Sequence, residues 1–470
     1  MIASAIRMTL IMLVITVTTA WGAEPANPRT MKFPPLAYSI PVVERVLLDN
    51  GTPVYLLQDR ELPIISVFAM MKTGSVYDPQ GKSGLAAFTG MLMRGGGTTA
   101  LKPEKVDEEL EFMASSVESS FGADSGSVSM TCLAKNLEPT FKIFADIIFS
   151  PGFDPKRLEI GRRQMLEGIK RRNDDPKAAA DNELRKVIYA GHPLGAEPVN
   201  ESVTAISRED IIAFHKSFVR PDNMILGVAG DFDRADMIAR LNRMTASGKP
   251  SSPLVLPEIP PVRENLAAEV LQASKKLNQS VIRMGHTGIT KDAPDLYAIR
   301  VLDFILGGSF TSRLVMEVRT NQGLAYNVGS HFDVGRRFTG TFTAETETKS
   351  EATVKAITLM KSIMEGVRQE PVAEEELQLA KESIVNSFLF GFTSPSAVVT
   401  QKMRLELYGY QPDFLERYRE RIGAVTRDDV LRAARKHLHP DALKLVVIGD
   451  ESRFDKPLST FGTVRKLELN

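Results

Sequence analysis

Residues 205–231, AISREDIIAFHKSFVRPDNMILGVAGD, lie without a gap over residues 424–450, AVTRDDVLRAARKHLHPDALKLVVIGD, and roughly a third of the positions are identical. Each copy opens with a Ser or Thr followed by acidic residues, the signature of a capped helix start. An amphipathic helix, a Pro-Asp turn and an apolar strand ending in Gly-Asp follow. A second pair lies earlier: ISVFAMMKTG (65–74) matches QSVIRMGHTG (279–288), both strand-like and both ending in Thr-Gly. The two offsets, 219 and 214 residues, nearly agree. A chain that repeats at this spacing folds as two homologous halves.

Each half interleaves strands with helices, and LDNGTPVYLL (48–57) carries an Asn-Gly hairpin signal that calls for antiparallel pairing. The expected fold is α+β: two homologous domains, each a mostly antiparallel sheet with helices packed on it. The first domain spans 23–245 and the second 265–470. Between them, residues 246–264 are rich in Pro and Ser without helical periodicity, and read as an extended linker. Stripes such as Val354, Ile357, Met360, Met364 and Val367 have helical spacing and are expected in the core.

At the N-terminus, Arg7 precedes an apolar run from Met8 and small residues at Ala20 and Gly22. This is the layout of a secretory signal peptide over residues 1–22, with an uncleaved membrane anchor as the alternative. Export places the mature chain in the periplasm of a bacterium, free of the membrane once the signal is removed. Lys plus Arg and Asp plus Glu number 58 each, so net charge is zero. That balance gives no electrostatic case for nucleic acid or an anionic membrane surface. Cys132 is the only cysteine, which rules out an intramolecular disulfide, and its strand-like setting predicts an inert buried thiol.

A strand ending Thr-Gly-Ser followed by YDPQGKSGLAAFTGMLMRGGGT (77–98) resembles the pitrilysin/insulinase family of zinc peptidases, with Gly84, Ala86, Phe88 and Gly97-Thr98 in the family's frame. The resemblance covers nearly the whole mature chain and implies two α+β halves forming a clam-like shell. It also implies a His-x-x-Glu-His helix with two zinc ligands one turn apart and a base between them. Here those positions are Ala87, Gly90 and Met91, which supply neither ligands nor base, so no metal is expected on this chain. A glycine in mid-helix costs roughly 1 kcal/mol against alanine, so Gly90 reads as drift away from a good helix. Glu167, near where the family keeps its third ligand, reads as an ordinary helical carboxylate.

GGSFTSRLVMEVRTNQGLAYNVGS (307–330) closely resembles the family's other functional segment. By that resemblance Arg319 and Tyr326 contact substrate, the Tyr hydroxyl donating to the carbonyl oxygen that gains negative charge and the Arg acting as a fixed cation. The alternative is that Arg319 caps a helix end and Tyr326 packs in the sheet. Some family members work as heterodimers with zinc on one chain and the Arg/Tyr pair on the other. The pattern here resembles the Arg/Tyr chain, which implies a homologous zinc-bearing partner, peptide substrates and inactivity alone. A catalytically inert peptide-binding or scaffold protein is the competing reading. None of the six histidines forms a His-x-x-x-His pair, and His192, in a Gly-His-Pro-Leu-Gly turn, reads as structural. LGGSF (306–310) is expected to end a helix.

Overall fold

The computed structural model describes residues 40–248 and 252–469; the expected signal peptide lies outside the described residues. The first half carries β1 (Glu44–Leu47), β2 (Pro53–Gln58), β3 (Ile64–Met71), β4 (Ser116–Phe121), β5 (Gly126–Leu133) and β6 (Met224–Gly230). Its helices are α1 (Leu85–Gly95), α2 (Pro103–Phe112), α3 (Leu137–Phe149), α4 (Pro155–Lys170), α5 (Pro176–Ile188), α6 (Asn200–Ala205), α7 (Arg208–Phe218) and α8 (Arg234–Ser247). The second half carries β7 (Glu269–Ser274), β8 (Gln279–Thr287), β9 (Ala325–Asp333), β10 (Thr341–Lys349), β11 (Lys444–Gly449) and β12 (Val464–Lys466). Its helices are α9 (Leu296–Leu306), α10 (Thr353–Gln369), α11 (Glu374–Phe388), α12 (Pro395–Leu407), α13 (Phe414–Gly423) and α14 (Arg427–His437). Residues 253–268 carry neither helix nor strand.

The sheets run β1-β2-β6-β3-β5-β4 and β12-β7-β11-β8-β10-β9. The repeated segments take equivalent places: α7 and α14 both open with reciprocal caps, Ser207 with Asp210 and Thr426 with Asp429. Both then lead through a Pro turn into a central strand, β6 or β11. Antiparallel pairs dominate, and the hairpin β1–β2 closes as the Asn50-Gly51 signal requires, with Gly51 at φ +84°. Parallel pairing enters between β2 and β6 and between β7 and β11, which makes both sheets mixed. The halves differ at one edge: β1, the first strand of its half, runs antiparallel to β2, whereas β12, the last strand of its half, runs parallel to β7.

β6 and β11 are buried at nearly every position, which requires cover on both faces of the sheet. One face of each sheet packs on helices of its own half. The other is covered by a helix from the opposite half. α5 lies on the second sheet, where Ala180, Leu184 and Ile188 meet Leu271, Val281, Val446 and Ile448. α12 lies on the first, where Val399, Met403 and Leu407 meet Ile225 and Ala229. The exchanged helices are themselves repeats, since Pro176 and Pro395, each at a helix start, are 219 residues apart.

Ion pairs fasten both. Arg283, almost fully buried on β8, donates to Asp181 of α5 at 2.6 Å and to Glu347 at 3.0 Å, and Lys177 reaches the same Glu347 at 2.9 Å. On the other side Glu406 of α12 accepts two bonds from Arg45, at 2.7 and 2.8 Å, and one from the Tyr55 hydroxyl at 2.6 Å. The loop after β9 adds a further joint: Arg337 donates to the Tyr77 hydroxyl at 2.6 Å, and the Tyr189 hydroxyl donates to the Thr339 carbonyl.

Gly227 of β6 makes room for α12, because a Cβ there would lie 2.3 Å from Met403 Sδ and 2.5 Å from Val399 Cγ1. Gly227→Val is expected to lower stability by about 1–3 kcal/mol through overpacking, read from denaturant unfolding. A stability unchanged by the substitution would show that α12 does not bear on this strand in solution.

Candidate functional site

The segment with the family's metal-binding frame begins at the end of β3. Gly74 adopts φ +120° where Ala123 and Gly122 carbonyls leave no room for a Cβ. A short turn brings in Asp78, whose carboxylate accepts the N–H groups of Gly84 at 2.7 Å and Ala86 at 2.8 Å. These are orphan donors at the start of α1, so Asp78 serves as its cap from outside the helix. Burial raises the Asp78 pKa to about 6 although the backbone donors favour the ionised form.

α1 runs unbroken through Gly90, and here the structure corrects the reading of that glycine as drift. A Cβ at 90 would lie 2.5 Å from the Phe121 backbone nitrogen and 3.0 Å from the Ser120 carbonyl carbon. The Ser119 hydroxyl donates to the Gly90 carbonyl at 2.6 Å and accepts the Arg94 N–H at 3.1 Å. Edge strand β4 is thus seated directly on α1, and glycine is what allows it. Ala87 and Met91 lie one turn apart on the exposed side of the helix. The Met91 methyl reaches α4, where a Cβ on Gly161 would lie 2.4 Å from it. Glu167 is exposed and pairs with Arg171 one turn on at 2.7 Å.

Arg319 and Tyr326 come together in the second half. Helix α9 ends at Gly307, as the LGGSF segment predicts, and a Cβ there would strike the Ser330 backbone nitrogen of β9 at 2.2 Å. The chain then enters a π-helical stretch, Val315–Asn321, a rare form often found at functional sites. Glu317 holds its end, accepting from Asn321 at 2.7 Å and Gln322 at 2.9 Å. β9 begins with a bulge: Val328 pairs with Thr346 and Ala325 with Thr348, leaving Tyr326 and Asn327 opposite Glu347 alone. Thr346 and Thr348 hold the bulge by donating to the carbonyls of Asn327 and Leu324.

The bulge turns Tyr326 outward, 82% exposed, so it does not pack in the sheet. The Arg319 guanidinium carbon lies 4.8 Å from the centre of the Tyr326 ring and 6.0 Å from that of Phe310, which is equally exposed. A cation stacked on a ring face stabilises both side chains. Among the described residues neither the guanidinium nor the Tyr326 hydroxyl has a hydrogen-bond partner, which leaves their donors free for a ligand. Nothing in the sequence distinguishes Phe310; only its place beside Arg319 singles it out.

The remaining titratable candidates are engaged structurally. His192 accepts the Leu194 N–H and bonds the Pro260 carbonyl at 3.0 Å, with its ring against Phe338. His215 is buried against the Ile148 carbonyl, and burial holds its pKa down to about 4. His437 pairs with Asp295 at 2.8 Å. Burial pushes the Cys132 thiol up to about 11. Among the described residues no three His, Cys, Asp or Glu side chains converge as a metal site would require.

The profile described as Insulinase (Peptidase family M16) matches residues 54–201, and that described as Peptidase M16 inactive domain matches residues 205–384. The chain belongs to the insulinase, or M16, family. An uncharacterised zinc protease of Mycobacterium leprae is 25% identical over 65% of this chain and 69% of its own length. The zinc protease YmxG of Bacillus subtilis, also uncharacterised, is 22% identical over 86% of this chain and 98% of its own. The crystal structure of a peptidase M16 inactive domain from Pseudomonas fluorescens superimposes with a TM-score of 0.79 at 25% identity, covering 87% of this chain and 98% of that one. The periplasmic protease PqqL of Escherichia coli shares the fold, with a TM-score of 0.73 at 15% identity over 91% of this chain and 48% of that one. Within the M16 family this is a non-catalytic member. Ala87, Gly90 and Met91 do not fit a zinc ion, and a glutamate at 90 has no space beside Phe121.

Gly90→Ala is expected to destabilise the M16 chain by about 1–3 kcal/mol in denaturant unfolding, where helix propensity alone predicts a gain of about 1 kcal/mol. A measured gain would show that β4 does not sit on α1. Asp78 gives a pH signature. Its folded pKa, about 6, lies above the ordinary 3.8, so the folded chain holds a proton that the unfolded chain releases between those values. Its contribution to stability is full below about pH 4 and is lost as pH rises through 6. The difference in unfolding free energy between wild type and Asp78→Asn across that range measures it.

Proposed function

We propose that this chain is the exported, non-catalytic subunit of a heterodimeric zinc endopeptidase and that Arg319 and Tyr326 are its contribution to the composite site. The observation that carries the reading is the outward-turned Tyr326 with Arg319 on its ring face and, among the described residues, no hydrogen-bond partner for the Tyr326 hydroxyl or the guanidinium, in a chain whose α1 offers no metal ligand. The partner, a homologous chain with an intact metal motif, supplies zinc and the base that activates water. On this chain the Tyr326 hydroxyl donates to the carbonyl oxygen as negative charge builds on it. Arg319 keeps a fixed positive charge beside it and restrains the ring. The π-helical turn and the bulge hold both in place before substrate arrives, so ordering them costs little at the moment of reaction. The N-terminal Arg7 and apolar run support export to the periplasm.

The second reading, a peptide-holding or scaffold subunit without turnover, draws on the same surface, because exposed Phe310 and Tyr326 beside the edge strand β9 offer contact area to an extended peptide. A quenched-peptide assay separates the two. The mature chain alone is expected to be silent. Mixed with a co-encoded metal-motif homologue, it is expected to raise turnover above that of the homologue alone, in a chelator-sensitive manner. Tyr326→Phe is expected to lower kcat of the mixture by about a hundredfold. An unchanged kcat would remove Tyr326 from the chemistry, and peptide binding without any turnover would establish the scaffold.

A further inference from the structure

A cavity of about 610 Å³ opens where α9, the C-terminal end of β9, α12 and α13 meet. Three arginines line it: Arg300 of α9, Arg336 of the loop after β9, and Arg404 of α12. Among the described residues none of the three has a carboxylate within ion-pair distance. Of the two acidic residues in the lining, Asp303 is already occupied. It accepts the Phe332 N–H at 2.8 Å and faces His331 Nδ1 at 3.0 Å, which raises the His331 pKa. Among the described residues Asp333 is the only other carboxylate in the lining, so the cavity keeps a surplus of positive charge. Partial burial first, and repulsion from Arg336 second, pull the Arg404 pKa below its usual value. Guanidinium groups that outnumber the carboxylates around them are a disfavoured arrangement that a bound anion relieves.

Phe304, Phe388, Phe414, Leu405 and Tyr418 give the wall an apolar and aromatic part, and His331, Ser387 and Gln401 add polar groups to it. Its volume suits a single side chain or a small ring system rather than a long polymer. We infer that this cavity binds a carboxylate carried on an apolar or aromatic body. The ring or alkyl group fills the space against Phe388, Phe414 and Tyr418, and the carboxylate takes the arginine forks. A charge surplus this small suits one carboxylate better than a polyphosphate. The same chemistry is offered by the C-terminal residue of a peptide and by a free arylalkyl acid. Because Gln401, Arg404 and Leu405 belong to the exchanged helix α12, an occupant also ties that helix to α9 and α13 of its own half.

The test is calorimetric titration of the mature chain with 3-phenylpropionate, with its amide, and with an N-acetylated tripeptide ending in Phe as the free acid or as the amide. Both acids, or one of them, are expected to bind and raise Tm, and neither amide. Equal binding of both acids marks a small-molecule site, and binding of the peptide acid alone marks a peptide C-terminus. Arg300→Gln and Arg404→Gln are each expected to weaken the acid by about tenfold or more, the loss of one charge-assisted contact. Acid and amide binding equally well, no binding by either acid, or full affinity in a folded double variant would each overturn the inference. The acid–amide comparison uses wild-type protein, so it stands even if a variant fails to fold.

Discussion

The burial of the central strands depends on the exchange of one helix between the halves. β6 is apolar throughout and β11 is apolar after Lys444, and a sheet made of strands buried this completely is stable only when neither face meets water. α5 and α12 cross over and complete the cover, so each half requires the other to bury its own sheet. The buried Arg283 with Asp181 and Glu347 on one side, and Glu406 with Arg45 and Tyr55 on the other, fix the register of these helices. Removing Glu347 would leave the Arg283 charge buried with less compensation, which makes that contact specific, whereas the Arg45–Glu406 pair is partly solvent exposed.

Loss of chemistry in the first half is coupled to packing. At position 90 the space a glutamate needs is taken by the backbone of β4, and at 91 a methionine has joined the contact between α1 and α4. Position 90 is closed by packing, so a glutamate cannot be written there without moving β4, whereas Ala87 and Met91 stay on the exposed side of α1. The frame around them persists because it also shapes the helix, with Asp78 and Gly84 starting α1 and the closing glycines stopping it.

In the second half the opposite holds. The π-helical turn and the bulge are both departures from regular structure, and both are reinforced by side chains, Glu317 in one case and Thr346 and Thr348 in the other. Irregular backbone that is held this firmly presents Arg319 and Tyr326 in a fixed relation on an otherwise ordinary edge strand. The free donors of that pair, and the arginine-lined cavity at the far end of the same strand, give the second half two distinct polar surfaces.

Local patterns in the chain were enough to establish the two halves, their α+β character and the identity of the capped helices and central strands. Those follow from short-range rules: a Ser or Thr reciprocated by an Asp, a Pro turn, an apolar run. That positions 87, 90 and 91 hold no ligand was equally legible, because it is a matter of residue type. What residue type does not contain is which backbone lies next to a given atom. The need for glycine at 90 and 227, the exchange of α5 and α12, the bulge that exposes Tyr326, and the gathering of Arg300, Arg336 and Arg404 around one cavity all join residues far apart in the chain. Local propensity carries no information about such approaches, and they were fixed by packing in three dimensions.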